Sequence, residues 1–150
     1  MHDLPQRFDA DSVGRALALV GERWTLLILR EAFFGVRRFG ELSRNLGVPR
    51  PTLSARLRTL VDAGLLDRVP HEDHHEYRLT DRGRDLFPAI VALMRWGDTH
   101  LAGPAGPAIA LRHHACGSVV DARLVCGHCH EEITAASVTP EAVVGSKGGD

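Results

Sequence analysis

The sequence predicts a mainly α, α+β fold: a winged helix-turn-helix with a helix before it, a helix after it, and a small C-terminal β-hairpin. Three observations predict it. Residues 39–46 and 50–63 carry apolar positions at helical spacing on either side of the tight turn Gly47-Val48-Pro49. Two strand-like runs, 65–69 and 76–79, bracket a polar loop at 70–75. Apolar helical stripes flank this block on both sides.

Residues 1–10 read as a polar N-terminal arm. Asp11 or Ser12 can cap a first helix whose stripe is Val13, Leu17 and Val20, stopped by Gly21. A second helix is expected over 23–34. Trp24, Leu27, Ile28, Leu29 and Phe33 make it apolar on more than one side, which suits a central position. After Gly35, residues 36–39 are expected as a short strand. The helix over 39–46 buries Phe39, Leu42 and Leu46. The next, over 50–63, buries Leu53, Leu57 and Leu60 or Val61, and tolerates Pro51 in its first turn. Pro49 stands where a capping side chain is usual. Thr80 can cap a long helix over 81–101, with Leu86, Phe87, Ile90, Leu93, Met94 and Leu101 on its stripe and Pro88 as a source of a kink. The domain therefore spans 1–102. Residues 103–110 form a Gly/Pro linker, 111–137 a Cys/His hairpin, and 138–150 a loose tail.

The formal net charge of −1 is uninformative by itself. Between Val36 and Arg58 the chain carries six arginines against Glu41 alone, a local charge of +5. Such a patch, on a helix-turn-helix, points to double-stranded DNA. The N-terminal residues of a recognition helix lie nearest the base edges. Arg50, Thr52 and Ser54 fall there, and Arg50 can reach a guanine. Arg56 and Arg58 follow one to two turns later; one of them should face phosphate and the other pair with an acidic neighbour. Arg37 and Arg38 are candidate backbone clamps, and His74 and Arg78 complete the set on the wing. A protein-interaction module that does not touch DNA is the alternative use of this fold.

Residues 16–30 (ALALVGERWTLLILR), 37–42 (RRFGEL), 52–66 (TLSARLRTLVDAGLL) and 77–86 (YRLTDRGRDL), in this order, resemble the HxlR family of regulators within the MarR-like superfamily. The resemblance implies a DNA-binding transcriptional regulator, a repressor, that dimerises through its terminal helices and binds pseudopalindromic promoter DNA. Many relatives carry a cysteine near the start of the first helix; here Asp11-Ser12 occupies that place.

The three cysteines lie outside that common core, in one segment with several histidines. His113-x-x-Cys116 and Cys126-x-x-Cys129 have the spacing of two zinc-ribbon knuckles, which implies one structural Zn2+ per chain; His114, His128 or His130 could replace His113. Val119-Val120 and Leu124-Val125 are expected as the strands of the hairpin joining them. A metal-free hairpin with Cys126/Cys129 as a redox pair is the alternative. His71, His74 and His75 form a further cluster of the kind that binds metal or senses pH, although a wing tip is ordinarily solvated and they are read first as exposed residues. Trp24, Phe33, Phe87 and Trp96 could line a pocket for an unidentified small-molecule effector, although packing alone accounts for aromatics so placed.

The sequence has no phosphate-binding glycine loop, nucleophile elbow or deaminase motif, so no enzyme is expected. With no signal peptide and no apolar run of membrane-span length, the expected location is the cytoplasm.

Overall fold

The computed structural model describes residues 11–141. The N-terminal arm and the end of the tail lie outside the described residues. Two compact units divide the chain between Gly106 and Pro107, inside the expected linker.

The first unit is a winged helix-turn-helix. Its order is α1 (Ser12–Val20), α2 (Arg23–Phe33), α3 (Phe39–Leu46), α4 (Arg50–Asp62), β1 (Leu66–His71), β2 (His74–Leu79), α5 (Asp81–Arg84) and α6 (Phe87–His100). Helix starts follow local chemistry. The Asp11 carboxylate accepts from the Gly14 amide, and that of Glu22 accepts from Trp24 and Thr25. Pro49 caps α4 without a side-chain bond, as its chemistry requires. Gly47 ends α3 at φ +62, a conformation that suits glycine.

The core gathers Ile28 and Leu29 from α2, Leu42 from α3, and Leu53, Leu57 and Leu60 from α4, closed by Leu65 and Leu66. These are the faces the periodicity assigns to α2, α3 and α4. Inside it, the Glu31 carboxylate takes a guanidinium bond from Arg30 and an amide bond of 2.9 Å from Asn45. That second bond fixes α3 against α2.

Four expectations are corrected. Residues 36–39 form no strand: α3 already claims Phe39, and the segment gains one sheet-like bond, from the Tyr77 amide to the Arg37 carbonyl, 2.8 Å. The wing strands run further than expected, pairing antiparallel from Leu66↔Leu79 to His71↔His74 and leaving Glu72-Asp73 as the turn. The helix over 81–101 is two helices. Gly83 packs so closely on the Leu65 carbonyl that a Cβ there would collide with it, and Pro88 opens α6 after the break at Asp85–Leu86. On α6, Ile90 and Val91 are buried, whereas Phe87, Leu93, Trp96 and Leu101 remain exposed.

The fourth correction concerns the second unit. Val119-Val120 and Leu124-Val125 do not pair with each other. Val119 bridges back to Arg112, and Val125 bridges forward to Glu132. The unit consists of two small loops, each closed on itself, and it contains no buried residue among those described. Their backbone bonds repeat thirteen residues apart. The Gly117 amide donates to His113 and the His130 amide to Cys126; Val120 donates to Leu111 and Ile133 to Leu124. Gly117 (φ +70) and His130 (φ +62) occupy equivalent left-handed positions.

Candidate nucleic-acid interface

The amino end of α4, the amino end of α3 and the wing enclose an open groove of about 940 Å3. Arg38, Arg44, Arg50 and Arg68 line it, with Ser54 on its floor. Glu41 and Asp73 are the acidic groups on its wall, so basic side chains predominate. Arg50 is exposed, and its guanidinium lies over the Phe39 ring at 4.7 Å, which holds a long side chain at the mouth of the groove before any ligand arrives.

The other expected contacts divide into two groups. Thr52 and Ser54 lie on the first turns of α4, half-buried and exposed, and Arg58 is exposed one turn on. Arg38 opens α3 and is exposed. By contrast, Arg56 stands 3.4 Å from the Glu22 carboxylate. Arg78 donates from Nε (3.0 Å) and Nη2 (2.9 Å) to Oε2 of Glu76, and Arg37 is 3.9 Å from the same oxygen. This clamp holds the Glu76 carboxyl below the usual carboxylate range, the Arg78 hydrogen bonds outweighing the cost of burial, with the charges of His71, Arg78 and Arg37 adding to them. His74 also lines the groove, with its Nε2 3.9 Å from the Glu76 carboxylate.

Arg44 and Arg68 complete the groove although the motif reading did not select them. Arg44 belongs to the counted basic cluster. Arg68 follows from strand alternation once β1 is known to be long: positions of one parity face the groove, and its Nη2 reaches Nδ1 of His75 at 3.2 Å.

With this geometry in place, comparison with known proteins decides the family. The description HxlR-like helix-turn-helix matches residues 19–104. The chain belongs to the HxlR family. It is 68% identical over 148 residues to an uncharacterized HTH-type transcriptional regulator of Mycobacterium tuberculosis, a match covering 97% of this chain and 94% of that protein. The crystal structure of PA1607, a proposed transcription factor, superimposes with a TM-score of 0.81 at 36% identity, covering 90% of this chain and 96% of that one. PA1374 from Pseudomonas aeruginosa, also a proposed transcription factor, gives 0.61 at 33% identity over 88% and 92%. This HxlR-family chain is thus a DNA-binding transcriptional regulator. The mycobacterial match leaves too few residues outside it to omit the Cys/His unit, which the family description does not include.

Within that unit, His113 and Cys116 are brought together, Nδ1 to Sγ 3.5 Å. Cys126 and Cys129 also meet, the second thiol close enough to favour ionisation of the first. The backbone amide of Ser118 lowers the Cys116 thiol below its ordinary range, and the amides of Cys129 and His128 lower that of Cys126. Amides aimed at sulfur in this way suit a thiolate. The two pairs do not merge into one cluster. Among the described residues, the one group of three or more ligand atoms lying within 4.8 Å of one another is His71, His74 and Glu76. No helix among the described residues is long and apolar enough to cross a membrane.

Proposed function

We propose that this HxlR-family regulator is a cytoplasmic repressor that binds pseudopalindromic promoter DNA as a homodimer, α4 entering the major groove and the wing lying along the backbone. The groove lined by Arg38, Arg44, Arg50 and Arg68 carries this reading. One recognition helix reads few base pairs, whereas two of them one helical turn apart read a palindrome. The exposed apolar side chains of α1 (Val13, Leu17), of α6 (Leu93, Trp96) and of its C-cap Leu101 supply a surface for the second copy. Fluorescence anisotropy on DNA from the chain's own upstream region, over a range of salt, tests the reading. Affinity should fall steeply with salt, and Arg50→Ala should cost about 1–3 kcal/mol at one operator position. Salt-independent binding, or an unchanged operator affinity for the variant, refutes the assignment. Sedimentation at the mass of a single chain removes the dimer.

We further propose one structural Zn2+ per chain, which would draw the separate His113/Cys116 and Cys126/Cys129 pairs onto one ion. The repeated loops and the amides directed at sulfur support this assignment. In tag-free protein, Cys126→Ser/Cys129→Ser should lower the metal content by one ion per chain; unchanged content removes the site.

A further inference from the structure

We infer a second metal site, on the wing: a divalent first-row transition ion of the zinc class held by Nε2 of His71, Nε2 of His74 and Oε1 of Glu76. Strand pairing builds it. His71 and His74 are register partners across the two-residue turn, and Glu76 is two residues beyond His74 on the same face of β2. His75, the histidine that sequence grouping would add, points to the opposite face and meets Arg68 instead. Glu76 takes its place, which turns a loose histidine cluster into a His2Glu donor set.

The distances fit an ion better than a hydrogen-bond network. Nε2 of His71 and Nε2 of His74 each stand 3.9 Å from Oε1 of Glu76, too far for hydrogen bonds. Ligands about 2.1 Å from a tetrahedral zinc stand about 3.4 Å from one another, so a small inward rotation of the rings completes the geometry. Nε2 of His74 is sealed from solvent and has no hydrogen-bond partner.

Glu76 does not need the histidines for charge balance. Its other oxygen, Oε2, already receives Arg78 through two bonds, with Arg37 nearby. Oε1 is therefore free for a different partner.

The surroundings are those of a supported site. Nδ1 of His74 lies 3.2 Å from the Asp73 carboxylate, the bond that fixes a ligating imidazole with Nε2 directed at the metal. Arg78 locks the carboxylate rotamer in the same way. Two imidazoles and a carboxylate prefer zinc, cobalt or nickel to calcium or magnesium. The His71 side chain, the most exposed of the three, gives the path of entry, and water fills the fourth position.

The test uses the full-length, tag-free chain carrying Cys116→Ser, Cys126→Ser and Cys129→Ser, so that thiols contribute nothing. Zn2+ is titrated in competition with a chromophoric chelator, without DNA. One ion per chain is expected, and His71→Ala, His74→Ala or Glu76→Gln should each weaken uptake at least tenfold. In the wild-type chain, whose cysteines are intact, His74→Ala should remove one ion from the total; this arm stands even if the serine variant folds poorly. No uptake by a folded serine variant overturns the site. An unchanged wild-type stoichiometry on His74→Ala overturns it equally.

Discussion

The two units of this chain solve the problem of folding differently. Residues 11–106 close over a continuous apolar interior in which Ile28, Leu29, Leu53 and Leu60 have no solvent exposure at all. Residues 107–141 bury nothing, and apolar side chains such as Leu124 and Val119 stand more than half exposed. What order they have comes from short backbone loops and from sulfur facing amides. The contrast teaches that one unit is specified by patterning and the other by local turn chemistry, and that the second depends on something outside its own apolar contacts.

The largest expected effect tests the first half of that contrast. Leu57→Ala should cost about 2–5 kcal/mol, read by thermal unfolding with tryptophan fluorescence, because Leu57 is 1% exposed and its loss leaves a cavity. Leu124→Ala, at 67% exposure, should stay within about 0.5 kcal/mol. Equal costs at the two positions would erase the distinction. Asn45→Ala should cost about 1–3 kcal/mol by depriving the buried Glu31 carboxylate of its donor from α3; full stability would show that water replaces the amide.

In the second unit, Gly117→Ala should cost about 1 kcal/mol, because the residue holds φ +70. Faster hydrogen exchange at the Gly117 and Val120 amides would report it, and unchanged protection would remove the turn from the account. The smallest effect is chemical. Cys116 and Cys126 should be alkylated at lower pH in the native, metal-stripped chain than in the denatured one. The native amides favour the thiolate, so the folded-state ionisation lies below the unfolded one. Coincident pH profiles would show that the amides do not act on sulfur.

Much of the winged unit was legible because its signals are periodic. Leu53, Leu57 and Leu60 repeat at helical spacing, and Gly47 and Gly64 sit where helices must stop. Less legible were features decided across space. Nothing local says that Gly83 must make room for Leu65, so a broken helix looked continuous. The wing tip has the polar composition of a loop, yet a two-stranded ribbon with one open face accepts polar side chains along its whole length. Val119 and Val125 have strand propensity, but propensity does not name a partner. For the interface, the arginine cluster was visible. That one of Arg56 and Arg58 pairs with an acid was expected from the sequence, but not that the acid is Glu22, which reaches Arg56 only through the folded geometry.

Glu76 stands beside Arg37 and Arg78 at once, and Glu22 beside Arg56, so three of the cations expected at the duplex already have a carboxylate neighbour. Arg44, Arg50 and Arg58 have no ion pair among the described residues. The number of small cations displaced when each protomer settles on its half-site should therefore follow the second group. The thermodynamic footprint on the sugar-phosphate chain is narrower than the tally of basic letters implies.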